Sequence, residues 1–478
     1  MNTNVDIGTL INNPSNAGGG VYFIGIGGIG MSAIARYFLS KGVRVSGYDK
    51  TETALTKELE AEGALIHYEE NVGAIPKDAA FVVYTPAVPK EHAELVYYQT
   101  HGYPVVKRSD VLQAITKDAF NICIAGTHGK TTITTMVAHI LRQSGYGCNA
   151  FLGGISVNYN TNFWRSDNNV CVVEADEYDR SFLKLSPDIA VITAMDADHL
   201  DIYGDEKTMQ NAFVEFGSKV KSGGLLISKF GLKRLKEAGV ERRWTYSLQN
   251  ESADVFASDV KIEEGGYRFD IHVKDRVLSN CELRIGGMYN VENAVAAVAV
   301  ASSMEIDDEE VKTALADFKG VRRRFEYIIP PKKNSAGGYI QPVLVDDYAH
   351  HPEELRALLT SVRSLFPQRV VTVVFQPHLY TRTRDLADGF AKALSIADRV
   401  ILLPIYPARE APIKGVSSEM ILKQVDREDK QVMTKEEFLA WMKQHAKNVN
   451  KEFGEVIVMA GAGNVDALVQ PVKEIISN

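Results

Sequence analysis

The sequence predicts an α/β protein of three domains, and three observations carry that reading. Apolar strands alternate with helical stripes at both ends of the chain, two glycine-rich turns each join a strand to a helix, and 478 residues are too many for one hydrophobic core. The first strand, Val21-Tyr22-Phe23-Ile24, runs directly into glycines. Beyond them Met31, Ile34, Ala35, Phe38 and Leu39 repeat at the i, i+3, i+4, i+7, i+8 spacing of a buried helical stripe, and Gly42 suits the turn that closes the helix. Residues 43–45 open a second strand that ends near Asp49, completing a βαβ unit, and residues 81–84 add a strand to the same sheet.

Around residues 105–120 the pattern changes: Lys107-Arg108-Ser109-Asp110 and a short helix lead to a new apolar strand at 122–125. After the second glycine turn, Ile133, Met136, Val137, Ile140 and Leu141 form one apolar face, with threonines 131, 132, 134 and 135 mostly on the others. Strands at 170–173 and 189–193 end in acidic clusters, residues 230–285 are mixed and strand-rich, and 290–303 is an alanine-rich helix. Past Gly320-Val321-Arg322-Arg323-Arg324, strands at 343–345, 370–375, 400–403 and 456–459 alternate with helices as in a third α/β unit. The expected domains are therefore 21–117, 118–321 and 322–478, after a disordered, polar stretch at 1–20.

Composition narrows the class. With 45% hydrophobic and 24% charged residues, and no apolar run near the roughly 18 residues that span a bilayer, the chain reads as globular, without membrane insertion. Residues 1–20 lack the basic flank and apolar stretch of a secretion signal, so a cytoplasmic location is expected. Cys123, Cys148, Cys171 and Cys281 lie far apart with no C-x-x-C spacing, which predicts isolated buried thiols and neither a zinc site nor a disulfide framework. A net charge of -8 argues against a nucleic-acid surface but is compatible with a local basic pocket for phosphates. The expected partners are small molecules, and the expected assembly is a monomer or weak homodimer.

The strongest chemical signal is Gly126-Thr127-His128-Gly129-Lys130-Thr131-Thr132. A glycine-rich turn between strand and helix lets backbone N–H groups surround phosphate oxygens, Lys130 adds positive charge, and the Thr131 hydroxyl completes a Mg²⁺ shell. The general pattern G-x-x-x-x-G-K-[ST] requires glycine where this chain has Ile124, and Gly126 stands two residues later. Glu174 closes an apolar strand, where α/β sheets place ligands, and a carboxylate there holds Mg²⁺ against ATP phosphates. His199 ends the next strand; on chemistry alone a hydrogen-bonded structural histidine is favoured, because hard cations prefer oxygen. Asp176, Glu177, Asp179, Asp196, Asp198 and Asp201 read individually as solvated or capping acids. Asn293 can read an adenine edge or cap its helix, Asn290 being better placed to cap. Gly25, Gly27 and Gly30 match a dinucleotide fingerprint, with Asp49 about 20 residues on, which by itself suggests an NAD-dependent dehydrogenase. That motif reports a diphosphate on a helix N-terminus, however, and a UDP-sugar satisfies it equally, with Asp49 then facing uridine or ribose or capping its strand.

These segments resemble the Mur ligases, which assemble the peptide of bacterial cell-wall precursors. Besides the 126–132 turn, the resemblance rests on Glu174-Ala175-Asp176-Glu177-Tyr178-Asp179, Asp196-Ala197-Asp198-His199-Leu200-Asp201, Asn290-Val291-Glu292-Asn293, Asp346-Asp347-Tyr348-Ala349-His350-His351-Pro352 and Gln376-Pro377-His378. They occur in the family's order and, with the N-terminal glycines, cover nearly the whole chain. The fold so implied has an N-terminal Rossmann-like domain, a central P-loop ATPase-like mixed α/β domain and a C-terminal Rossmann-like domain, with ATP between the last two. The activity implied is ATP- and Mg²⁺-dependent joining of L-alanine to the lactyl carboxylate of UDP-N-acetylmuramate, through an acyl phosphate, in peptidoglycan precursor synthesis. By resemblance, Gly25, Gly27, Gly28, Gly30 and Asp49 hold the UDP-sugar. Residues 126–132, Asn293 (adenine), Arg324 (phosphates) and Asp347 (ribose) hold ATP. Thr131, Glu174 and His199 bind metal, Lys130, Glu174 and His199 are catalytic, and Tyr348, His350, His378 and Arg382 receive the amino acid.

The 174–179 segment also resembles that of the family's recycling member, which attaches a preformed murein tripeptide to the same nucleotide sugar. Two positions depart from the family pattern. Leu379 stands where many relatives carry arginine, with Arg384 a nearby candidate to compensate, and Phe163-Trp164 stand where relatives have small residues, which bears on the muramyl pocket.

Overall fold

The structure, a computed structural model, describes residues 8, 19–196, 200–263, 265–332, 341–408, 410–448 and 454–477. Apart from Gly8, Gly19 and Gly20, the stretch expected to be disordered at 1–20 lies outside the described residues. By contact the chain divides into two compact units: residues up to 257 with 271–278 and 292–315, and residues 258–270 and 279–291 with 316–478.

In the first unit, strands β1 (Val21–Ile24), β2 (Val45–Tyr48), β3 (Leu65–His67), β4 (Phe81–Tyr84) and β5 (Val105–Lys107) form a parallel sheet in the order β3-β2-β1-β4-β5. The second strand starts at Val45 and not at 43. Gly42, at φ +74, reverses the chain, and Val43 N–H donates back to the Phe38 carbonyl at 3.0 Å, so Val43 belongs to the helix-closing turn.

A larger sheet follows, with β6 (Phe120–Ala125), β7 (Asn149–Ser156), β8 (Thr161–Trp164), β9 (Val170–Glu174), β10 (Ile189–Ile192), β11 (Leu225–Lys229) and β12 (Arg242–Ser247). The strand-rich stretch near 230–285 adds β13 (Val255–Glu263), β14 (Gly266–Val273) and β15 (Arg276–Leu283), giving the order β15-β14-β13-β12-β11-β10-β6-β9-β7-β8. Strand β6 is buried from Asn121 to Ala125, as a central parallel strand covered on both faces must be. The register pairs Ile124 with Glu174 and Ala125 with Ile192, so the ends of β6, β9 and β10 come together.

The Lys130–Gln143 helix corrects the amphipathic reading. Thr131, Thr132, Thr134 and Thr135 are buried like the apolar residues, and the last two hydroxyls donate to the carbonyls of Lys130 and Thr131, which removes the cost of burying them. The first two sheets share one apolar core, in which Tyr37, Phe151 and Phe163 meet with ring centroids 5.1–6.0 Å apart. Beside them Arg36, 4% exposed, pairs with Glu58 and Glu62 and donates to Asn162 Oδ1; Asn162 Nδ2 in turn donates to Ile29 O at 2.6 Å and Ser32 Oγ at 2.9 Å. A buried polar cluster satisfied this fully fixes the start of the Ile29–Ser40 helix against β8.

In the second unit, β16 (Glu326–Ile329), β17 (Val343–Asp347), β18 (Val370–Phe375), β19 (Arg399–Leu402), β20 (Lys430–Val432) and β21 (Glu455–Ala460) take the order β16-β17-β21-β18-β19-β20, parallel except for β16. The register aligns Asp347, Ala460 and Phe375, so the loops that follow them share one sheet edge. All four cysteines are buried, as expected, and none is in a disulfide among the described residues. No helix among the described residues is long and apolar enough to cross a membrane.

Candidate functional site

After β6 the chain turns through Gly126 (φ +125) and Gly129 (φ +80) into the Lys130–Gln143 helix. The positive φ favours glycine at both positions, and space requires it at Gly126, where a Cβ would lie 2.1 Å from Thr193 Oγ1 and 2.8 Å from the Ala194 backbone nitrogen; one on Gly129 would crowd Asn293 Oδ1 at 2.7 Å. The helix has no side-chain N-cap, an arrangement that offers its first amides to an anion, and Asn293, 9% exposed, sits beside Gly129. Asn290 lies inside the first turn of its own helix and donates from Nδ2 to the Gly286 carbonyl at 2.6 Å.

Lys130 Nζ donates to Gly126 O at 2.7 Å and to Glu177 Oε1 at 2.8 Å. Glu177 is 1% exposed, which corrects its reading as a solvated acid: the chain beyond β9 folds back under the turn, and the Tyr203 hydroxyl donates to the Glu177 carbonyl at 2.6 Å. Thr131 Oγ1 donates to Glu174 Oε1 at 3.0 Å while Gly153 N–H donates to Glu174 Oε2 at 3.1 Å. A Cβ on Gly153 would stand 2.1 Å from that oxygen, so any larger residue there must push the Glu174 carboxylate aside. The adjacent Thr131 and Glu174 oxygens are hard donors of the kind Mg²⁺ prefers. Among the described residues no group of three or more His, Cys, Asp or Glu is arranged to hold a metal. His199, Ala197 and Asp198 lie outside the described residues, as does the Asp201 side chain. His128 and Asp196 are exposed, with Nε2 and Oδ2 3.7 Å apart.

A cavity of about 310 Å³ opens in the same unit between the first glycine turn and the end of β9, lined by Gly28, Gly30, Lys107, Arg108, Gly153, Glu174 and Asp176 among others. The Ile29–Ser40 helix also lacks a side-chain cap. Gly27 N–H donates to Asp49 Oδ2 at 2.8 Å and Thr51 N–H to Oδ1 at 3.2 Å, so Asp49 caps its strand and braces the glycine turn. Arg108 crosses Gly30 so closely that a Cβ there would be 2.7 Å from Nη1. Arg108 pairs with Asp176 at 3.7 Å and Lys107 with Asp179 at 3.3 Å. Asp179 and Arg180 both hold φ +53, a strained pair of non-glycine residues that keeps this acidic segment beside the cavity. Phe163 and Trp164 are 6% and 7% exposed; Phe163 packs on Phe151, which lines the cavity, and Trp164 on Tyr159 at 4.9 Å. The departure at 163–164 therefore alters packing behind the wall.

In the second unit Arg324 is exposed between Arg323 (φ +59) and Phe325 (φ +47). Asp347 accepts from Phe325 N–H at 2.6 Å and Ala349 N–H at 2.7 Å, and burial pushes its carboxyl up to about 6 despite those bonds. Burial also raises its neighbour Asp346 to about 7. His350 Nδ1 lies 3.0 Å from Tyr348 O and 3.3 Å from Glu354, and the His350 and His378 rings are 6.3 Å apart. Burial lowers both histidines, and for His378 the nearby Arg382 adds to it. His378 Nδ1 and Arg382 Nη1 are buried polar atoms without a protein partner, the condition of a site that takes a polar ligand. Leu379 begins the Tyr380–Leu394 helix at φ +70, ψ 138, a conformation rarely adopted outside glycine, while exposed Arg384 pairs with Asp385 at 2.7 Å.

The sequence reading missed Glu177, Gly153 and Arg108 as members of the site. Only Glu177 carried a local signal, its place three residues after Glu174.

Known proteins resemble this chain along nearly its whole length. Models of the Mur ligase family match at residues 20–119 (Mur ligase family, catalytic domain), 124–301 (Mur ligase middle domain) and 323–463 (Mur ligase, glutamate ligase domain). The UDP-N-acetylmuramate–L-alanine ligase of Parabacteroides distasonis is 49% identical over 95% of this chain and 97% of its own length. The crystal structure of the UDP-N-acetylmuramate–alanine ligase of Thermotoga maritima is similar with a TM-score of 0.78 at 26% identity, over 96% of this chain and 98% of that one. The murein peptide ligase of Psychrobacter arcticus shares the fold at a TM-score of 0.65 and 21% identity, over 96% of this chain and 98% of that one. With three domains matched in order and a relative at this identity along nearly its whole length, the chain belongs to the Mur ligase family.

Proposed function

We propose that this protein is an ADP-forming ligase that joins L-alanine to the lactyl carboxylate of UDP-N-acetylmuramate, acting in the cytoplasm. The observation that carries this reading is the position of Glu174. Its carboxylate meets Thr131 at the head of the phosphate turn at 3.0 Å, and the same residue lines the cavity beside the first glycine turn. A carboxylate substrate anchored by its UDP end in that cavity reaches the place where a nucleotide phosphate would lie.

In this scheme residues 21–117 hold the UDP-sugar through the amides after Gly25, Gly27, Gly28 and Gly30, with Arg108 adding charge and Asp49 bracing the turn. Residues 118–321 hold ATP, with Asn293 at the adenine and Gly126–Thr132 around the phosphates, and residues 322–478 supply Arg324, Asp347 and the amino-acid site. The lactyl carboxylate attacks the γ-phosphate, ADP leaves, and an acyl phosphate remains. Lys130 and the helix amides meet the charge that develops on the transferred phosphoryl group. The amine of L-alanine then attacks the acyl carbon, and the tetrahedral species expels phosphate to leave an amide. His378 Nδ1 and Arg382 Nη1 orient the amino acid's carboxylate, with Tyr348 and His350 beside them. Thr131 and Glu174 would hold Mg²⁺, with His199 at a second ion, and bound metal neutralises phosphate charge. A heavy-oxygen label placed in the lactyl carboxylate should appear in the released inorganic phosphate; label retained entirely in the sugar product would exclude the acyl phosphate.

A further inference from the structure

We infer that Glu177 is a positioning residue for Lys130, acting through the reach of its side-chain oxygen and not through its charge. The inference rests on the reading of the 126–132 turn as the ATP phosphate site. An ammonium has three N–H donors. Here Gly126 O and Glu177 Oε1 take two of them at 2.7 and 2.8 Å, which leaves one N–H and fixes where it points. Without Glu177, the Lys130 side chain would be tethered only at the Gly126 carbonyl and would sample several rotamers, losing the directed donor.

Charge gives no comparable benefit. A carboxylate beside Lys130 cancels the net positive charge that the lysine brings, and by itself opposes a phosphate. What the pair delivers is therefore a direction. Glu177 is 1% exposed, its backbone carbonyl accepts from the Tyr203 hydroxyl, and its Oε2 has no protein donor. A buried carboxylate with one oxygen unsatisfied is held at a cost, and the contact it keeps is the one to the lysine.

Two conservative variants separate reach from charge. Glu177→Gln keeps the oxygen at the same distance and removes the charge, whereas Glu177→Asp keeps the charge and withdraws it by one methylene. With the full-length enzyme, Mg²⁺, UDP-N-acetylmuramate and L-alanine, Glu177→Asp should raise the KM for ATP and lower kcat, each by roughly tenfold, while Glu177→Gln stays within about threefold of the parent. The KM for UDP-N-acetylmuramate should not move, and calorimetric titration with Mg-ADP should give the same ranking as the KM for ATP. The reverse ranking, or equal behaviour of the two variants in proteins that melt with the parent, would overturn the inference. Failure of the unaltered enzyme to release ADP would count against the ATP site itself and is read separately in the parent control.

Discussion

At residues 25–30 and again at 126–132 a buried strand passes through glycine into a helix without a side-chain cap, yet the charged groups around the two turns come from different places. The second turn carries its own lysine and hydroxyl, and its carboxylate partners, Glu174 and Glu177, follow within one strand end. The first turn carries no charged side chain. Its cation, Arg108, arrives from the far end of the same sheet, and its acid, Asp49, is used to hold the Gly27 amide. One helix N-terminus suits a diphosphate that is gripped and left unchanged, and the other suits a phosphate that reacts. What separates the two turns is therefore the lysine of the second and the carboxylates that stand behind it.

The contrast can be broken at four points. Lys130→Ala should cost the most, lowering turnover by at least about a hundredfold in ADP-release assays. Because it also strands Glu177 without a counter-ion, adding Glu177→Gln should restore the melting temperature and leave turnover lost. Gly153→Ala pushes a methyl group into Glu174 and should lower kcat roughly tenfold while raising the Mg²⁺ concentration needed for half-maximal rate, measured by metal titration. At the first turn, Arg108→Ala should raise the KM for UDP-N-acetylmuramate about tenfold and leave the KM for ATP unchanged, the opposite of what a variant at the second turn does. Asp49→Ala should be mildest, about threefold on the same KM, since it loosens the turn without removing a phosphate contact. An Arg108 variant that altered the KM for ATP would dissolve the distinction between the turns.

What could be read in the sequence follows from how local each feature is. The strand, glycine turn and helix at 126–143 lie within one continuous segment, and Glu174 is marked by ending an apolar strand, so both were legible. Glu177 was marked only by its place three residues after Glu174, because its burial depends on the chain folding back under the turn and on Tyr203, 26 positions away. Gly153 gives no sign in the sequence that Glu174 will fill the space beside it. Arg108 looked like part of a charged run, and its place over Gly30 is set by packing of the Arg108–Thr116 helix. The threonines at 131–135 misled for a related reason: periodicity assumes one solvated face, and a helix enclosed by its neighbours has none.

The most direct test of the account is the mass of the product made from UDP-N-acetylmuramate, ATP and Mg²⁺ when L-alanine, glycine, L-serine and the murein tripeptide are offered together. The account predicts ADP and a nucleotide sugar heavier by one alanyl residue. A product carrying the tripeptide instead, or an unchanged sugar with no ADP formed, would contradict it.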